Sequence, residues 1–283
     1  MNPDSLLAGS IFQNLTPPSL DAFLSLIKKK VYHYFPEGDP RMIASCLSSD
    51  DLLSRMRLLR EEIKGESQIL DSFLPVWSEL GFDLKEIFLD AIRIRCVPDR
   101  FHEDQKASSI GFIHRDPWYA NPQCQLNFWI PVFDVEEGTG FRVFPSYFNK
   151  AIPNNSEFFD YSEWMALGGF QSVRVPIGKS QFFPSPLEIP IETKPVDVFG
   201  KEGQLAAFSS HHLHGTSPNI SGKSRFSLEV RFVLLSHLEQ KIGPPKIDNF
   251  SKGSTLSHMY DLFTKRAVSE FLIKHYEDGF VHS

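Results

Sequence analysis

The hydrophobic period changes from helical to strand-like near residue 89, and this change restricts the fold more than any other feature. Upstream, apolar residues recur at helical spacing. Residues 17–35 place Leu20, Phe23, Leu24 and Ile27 on one face, with Thr16 positioned as a cap and Pro17-Pro18 suited to a first turn. Residues 49–64 carry the stripe Leu52, Met56, Leu59 and Ile63 behind a cap at Ser48 or Ser49. A third helix is expected over 67–80, with Pro75 as a kink or break. From residue 89 the alternation is strand-like: Ile92, Ile94 and Cys96 oppose Arg93 and Arg95. QCQLNFWIPVFDV (123–135) reads as a strong strand, and GFRVFPS (140–146) follows the turn EEGTG, which predicts a hairpin. GQLAAFSS (203–210) and SRFSLEVRFVLL (224–235) are further strands, separated by HHLHGTSPNISGK. Residues 147–200 are proline-rich and irregular, with short strand-like pieces at 171–177 and 188–193, and a last helix is expected over about 257–276.

Helices, then strands with Gly/Pro turns, then a helix describe an all-β core with flanking helices, an α+β arrangement rather than alternating βαβ units. With no internal repeat or linker, one domain over 1–283 is expected. It comprises a mainly helical region 1–88, a β core 89–235 with 147–200 as an insertion, and a helical segment 236–283. The 283 residues include 26 Phe and are 41% apolar, enough for a large interior. A net charge of −6 without any basic block argues against nucleic acid, and no apolar run reaches the ~20 residues that span a membrane. Cys46, Cys96 and Cys124 are odd in number and far apart, which fits a reducing compartment. MNPDSLLAGSIFQNL lacks the basic and apolar regions of a signal peptide, so a cytoplasmic protein acting on a small molecule is expected. The sequence does not show its oligomeric state.

Chemistry concentrates in two places. In HRDPWYANP, His114 and Asp116 stand two apart, so on a strand both side chains leave the same face and can meet one ion. A second such pair, His102 and Asp104, lies in a polar stretch, and the ordinary reading of an isolated pair is a solvated turn. Only the pair at 114 and 116 is followed by aromatic residues and then by a core strand. A third ligand has to come from a distant segment, and His211, His212 and His214 are the candidates. Two histidines and one carboxylate form a facial set that suits divalent iron and leaves other positions open. Downstream, Arg225, Ser227, Glu229 and Arg231 share one strand face, where a buried guanidinium at 225 requires an anion. That anion is either a protein acid such as Glu229 or a small dicarboxylate.

The pattern HRD…HGTSPN…R resembles the iron(II)/2-oxoglutarate-dependent oxygenases, and within them the phytanoyl-CoA hydroxylase-like superfamily. WIPVFDVEEGTGFRVFPSYF (129–148) is similar to the same group, and the resemblance covers about 110–235. In flavour it is nearest to bacterial natural-product tailoring hydroxylases, of the streptomycin-biosynthesis type and, more distantly, the cylindrospermopsin-pathway type. It implies a double-stranded β-helix, or cupin-like jelly roll. It also implies iron ligands His114, Asp116 and His214, with Arg225 and Thr216 on the distal carboxylate of 2-oxoglutarate. The cofactors implied are Fe(II), 2-oxoglutarate as co-substrate and O2. Related halogenases carry Gly or Ala at the carboxylate position, so Asp116 points to hydroxylation or a related oxidation rather than halogenation.

Further residues are placed by strand parity. Gln123, Gln125, Asn127 and Trp129 share a face opposite Cys124, Leu126, Phe128 and Ile130, which suggests a cavity lining or an outer face in water. Gln125 and Asn127 are candidates for the C1 carboxylate of 2-oxoglutarate or for substrate. Trp118, Tyr119, Trp129, His212 and Arg231 are substrate candidates, with packing roles as the alternative. The expected activity is hydroxylation of an unactivated carbon of a polar small molecule, with release of succinate and CO2. The same centre also supports epimerisation, desaturation or ring closure. A reading of another class is a jelly-roll binding or sensor protein that holds a metal without turnover. A structural zinc site would normally close with a fourth Cys or His, which the pattern does not supply. The insertion 147–200, including GGF at 168–170, is a candidate lid.

Overall fold

The computed structural model describes residues 1–103, 111–167, 183–188 and 194–280. In chain order it comprises α1 (Pro3–Leu7), β1 (Phe12–Leu15), α2 (Leu20–Tyr34), α3 (Pro40–Cys46), α4 (Ser49–Gly65) and α5 (Ser67–Glu79). The strands β2 (Ile87–Leu89), β3 (Arg93–Val97), β4 (Leu126–Pro131) and β5 (Phe141–Val143) follow. After α6 (Tyr161–Ala166) come β6 (Val196–Val198), β7 (Leu205–Ser209), β8 (His214–Thr216) and β9 (Arg225–Leu234). The chain closes with α7 (Leu235–Glu239), β10 (Tyr260–Asp261) and α8 (Glu270–Glu277).

Local chemistry explains most helix ends. Ser48, not Ser49, caps α4, its hydroxyl accepting the Asp51 N–H at 3.2 Å. Thr16 does not cap α2. The chain turns at 17–20 instead, and Ser19 donates its N–H and hydroxyl to Glu79 at 2.9 and 2.5 Å. α5 continues through Pro75 to Glu79 without breaking. The long helix expected over 257–276 is only α8. Asp261 accepts the N–H groups of Phe263 and Thr264, Lys265 takes a positive φ of 56°, and this turn stops any helix before Ser269 caps α8.

The strands form two antiparallel sheets flanked by helices. The larger has the order β1-β7-β4-β9-β2-β10, with β3 also paired to β9. The smaller has the order β6-β5-β8. The expected hairpin of β4 and β5 does not form. Both edges of β4 are already taken, by β7 and β9, so the EEGTG turn carries the chain across to the smaller sheet. The strand-like pieces at 171–177 and 188–193 lie outside the described residues, Glu188 excepted, as do GGF 168–170 and Asp104.

The larger sheet divides two interiors. Leu126, Phe128, Ile130, Phe226, Leu228, Val230 and Phe232 on one face pack against α2, α4 and α5 through Phe23, Leu59, Phe73 and Trp77. The opposite face packs Trp129, Ala206 and Phe208 against Phe141, Val143 and Val198 of the smaller sheet. Period-2 alternation therefore sends one set of β4 side chains to the helices and the other to the space between the sheets. Among the described residues no helix is long and apolar enough to cross a membrane.

Phe232 is fully buried and makes edge contacts with Trp77, Phe82 and Phe128 at 5.9, 5.2 and 5.0 Å between ring centroids. Phe232→Ala should lower unfolding stability by about 3–5 kcal/mol. Urea denaturation followed by circular dichroism measures this, and a loss below about 1 kcal/mol would show that the helix layer does not depend on that face.

Candidate metal centre

His114 and His214 face each other across an isolated antiparallel bridge, exchanging backbone N–H···O bonds of 2.8 and 2.9 Å. β8 lies beside β5, so His214 stands at the edge of the smaller sheet and the 114 segment adds to that edge. Gly215 permits the close approach: a Cβ there would come within 3.0 Å of Ile113 Cγ1 and 3.2 Å of Ile113 Cα. After His114 the chain enters a 3-10 turn, Asp116–Tyr119, with Pro117 at its start, which directs the Asp116 carboxylate toward the two imidazoles.

One ligand atom from each of His114, Asp116 and His214 lies within 4.8 Å of the others. Asp116 Oδ1 is 3.6 Å from His114 Nε2 and 3.9 Å from His214 Nε2, too far for hydrogen bonds. The remaining bonds orient all three groups. His114 Nδ1 donates to Phe112 O and His214 Nδ1 to His212 O, both at 2.9 Å. With the proton on Nδ1, each Nε2 presents a lone pair to the shared space. Asp116 Oδ2 accepts from Asn127 Nδ2 at 2.6 Å and Gln125 Nε2 at 3.3 Å, which leaves Oδ1 as the inward oxygen. Burial pushes the Asp116 carboxyl up, but the Arg231 guanidinium outweighs it and holds the group well below the usual range. Burial, with His114 beside it, lowers His214 to about 4. Two imidazole lone pairs and a carboxylate oxygen converge where they could hold a metal ion, and the donor set suits Fe(II).

The cavity at this triad lies between the sheets, with Trp129, Phe141, Phe208 and Thr216 among its walls. Arg95, Arg225, Glu229 and Arg231 line it from the larger sheet. Arg225 does not pair with Glu229. Its Nη1 donates to the carbonyls of Thr139, at 3.0 Å, and Gly140, while its Nε is buried without a partner. Burial, then Arg95, lowers Arg225 to about 9. An anion on its open side would offset both effects. Glu229 is instead bonded to Arg95 at 2.5 Å and Arg231 at 2.9 Å. Arg231 Nη2 also lies 3.8 Å from Asp116 Oδ1.

The other expected residues divide. Gln125 and Asn127 border the triad but spend donors on Asp116 rather than standing free for a ligand, and Gln125 Oε1 stays unpartnered. Trp129 and Arg231 line the cavity. Trp118 does not: it is fully buried in a second aromatic cluster and donates Nε1 to Asp248 at 2.9 Å. Tyr119 packs edge-on to His114 at 5.2 Å and donates its hydroxyl to Pro184 O at 3.1 Å. His212 also lies off the cavity, with Nδ1 at Ser209 O (3.2 Å), Nε2 at Gly9 O (3.1 Å) and Phe148 against its ring. Strand parity misplaces it because β7 ends at Ser209 and the chain turns before β8. His211 is buried on Gln123 at 3.1 Å.

Sequence reasoning missed the residue between the two upstream ligands. Arg115 is fully buried, with Nε on Asp248 at 3.1 Å and Nη2 on the carbonyls of Tyr147 (2.6 Å) and Lys150 (2.9 Å). Its Nη1 holds the His211 carbonyl, so this side chain ties the 114–116 turn to the loop leading to His214. Asp248 also accepts the Ile152 N–H at 3.1 Å. Only the burial of HRD among aromatics hints at such a role.

No protein-family model matches the chain, and no curated protein sequence does. Among solved structures, it is similar to the non-heme monooxygenase ThoJ in its apo form at 13% identity, over 98% of this chain and 94% of that one, with a TM-score of 0.44. EvdO2 from Micromonospora carbonacea var. aurantiaca is 14% identical over 61% of this chain and 65% of that one, with a TM-score of 0.40. The epimerase SnoN, in complex with Fe3+, alpha ketoglutarate and nogalamycin RO, is 13% identical over 82% of this chain and 83% of that one, with a TM-score of 0.41. These are distant likenesses, and the chemistry of this chain rests on its own residues.

Because Asn127 holds Asp116 Oδ2, Asn127→Ala should weaken Fe(II) binding by roughly 10- to 100-fold while the fold is kept. Anaerobic titration with a competing chelator reads the change, and an unaltered affinity would mean that Asn127 does not orient the carboxylate.

Proposed function

We propose that this protein is an Fe(II)/2-oxoglutarate-dependent oxygenase that hydroxylates an unactivated carbon of a polar small molecule. The reading is carried by one juxtaposition: a cavity lined both by the His114–Asp116–His214 triad and by Arg225, whose buried Nε has no partner. A metal-binding protein without turnover has no use for a buried open guanidinium beside its ion. On this reading the two sheets form a double-stranded β-helix, and the chain acts as one oxygenase domain.

His114 Nε2, His214 Nε2 and Asp116 Oδ1 would hold the iron, and three protein ligands leave positions for co-substrate and O2. Bound iron with 2-oxoglutarate supplies the oxidation, in which O2 is consumed, succinate and CO2 are released and one oxygen atom goes to the substrate carbon. Arg225 takes the distal carboxylate on its open side, and the Thr216 hydroxyl is positioned at the same cavity wall. Asn127 and Gln125 keep Asp116 Oδ1 turned inward, so the carboxylate does not swing away as ligands exchange. Trp129, Phe141 and Phe208 exclude water around the charged groups and strengthen each electrostatic contact. The retained carboxylate at 116 favours oxygen delivery over halogenation.

Arg225→Ala should keep Fe(II) affinity and lose about 10- to 100-fold in 2-oxoglutarate affinity, read by anaerobic calorimetry. Unchanged 2-oxoglutarate binding in that variant would overturn the assignment of Arg225.

A further inference from the structure

Three guanidinium groups, of Arg95, Arg225 and Arg231, line one small cavity, yet they are not equivalent. Glu229 lies on the same strand face as Arg225 and Arg231, and β3 brings Arg95 alongside with Arg95 opposite Ser227. Each Glu229 oxygen is committed to a different arginine: Oε1 to Arg95 at 2.5 Å, Oε2 to Arg231 at 2.9 Å. Arg225 receives neither oxygen, and its Nε is left open.

We infer that Glu229 is a specificity-determining residue that divides the cavity arginines: it neutralises Arg95 and Arg231 and leaves Arg225 as the carboxylate receptor. This rests on the oxygenase reading for the identity of the diacid, but the division itself is a property of the charges. A carboxylate entering the cavity meets two guanidiniums already paired with a carboxylate and one that has only backbone carbonyls on Nη1 and nothing on Nε. It therefore binds in one orientation, with its far end left for the metal. Without the Glu229 charge, Arg95 and Arg231 would each seek an anion, and a diacid could settle on them without reaching the metal through a keto oxygen. Selection for a 2-oxo acid over a plain diacid would then fall.

Glu229→Gln keeps the volume but offers one acceptor where two are used, and turns an N–H toward the second guanidinium. Anaerobic, Fe(II)-saturated protein is titrated by calorimetry with 2-oxoglutarate and, separately, with glutarate, the same carbon chain without the keto oxygen. In E229Q the affinity for glutarate should rise about tenfold while that for 2-oxoglutarate changes by less than about threefold, so discrimination narrows. A folded E229Q that discriminates as the wild type does would overturn the proposal. Arg95→Gln provides an independent arm at a side chain that reaches the surface, 40% exposed. It should leave 2-oxoglutarate affinity within about threefold, and a tenfold loss would make Arg95 the receptor and overturn the division. Failure of the oxygenase reading has a different signature, a wild type that binds Fe(II) but not 2-oxoglutarate. In that case the glutarate affinity alone is compared, and a folded E229Q that binds glutarate no more tightly than the wild type overturns the division.

Discussion

The two backbone hydrogen bonds between His114 and His214 are the contact on which the centre depends. They join segments far apart in sequence and fix the two imidazoles at 4.5 Å between ring centroids. Everything else at the site adjusts to that pairing. Gly215 makes room for it, the 3-10 turn after Arg115 adds the carboxylate, and the carbonyls of Phe112 and His212 set both tautomers. The larger sheet then supplies Asn127 from β4 and the arginines from β3 and β9, and Gln125 stands just before β4. The centre is thus an inter-sheet structure, with the ion site anchored on the small sheet and the charges that tune it on the large one.

Buried charge is the main cost of this arrangement, and its pairing indicates where stability depends on polar contacts. Arg115 and Asp248 are both almost wholly buried, and removing either would strand the other at a cost of about 3–5 kcal/mol. An exposed pair such as Lys28–Glu202 contributes about 0–1 kcal/mol. The burial of an arginine between two metal-ligand candidates therefore serves to hold the turn in place. Glu229 does the equivalent work in the cavity: burial pushes its pKa up, but Arg95 and Arg231 bring it down to about 2.

Much of this was legible in the sequence, for reasons that differ by element. The amphipathic stripes of α2, α4 and α5 and the alternation of β3, β4 and β9 are local signals, and the structure follows them. The cavity face of β4 could be read from Asn127 and Trp129 alternating with Leu126, Phe128 and Ile130 of the helix-side core. What could not be read was non-local. Whether β4 turns back on β5 or sends it to the other sheet depends on which edges of β4 are free, and that is decided by β7 and β9. β6 and β8 have three residues each, too short for a period to show. The partners of Arg115, Trp118 and Glu229 lie on other segments, so no spacing rule could assign them.

The most direct test of the central claim is optical. Apo protein is titrated anaerobically with Fe(II) and then with 2-oxoglutarate, and the weak visible charge-transfer band of the chelate is followed in wild type and in His214→Ala. A band in the wild type that is absent from His214→Ala is the predicted result. Tight Fe(II) binding with no band at any 2-oxoglutarate concentration would contradict the account, leaving a metal site without this co-substrate.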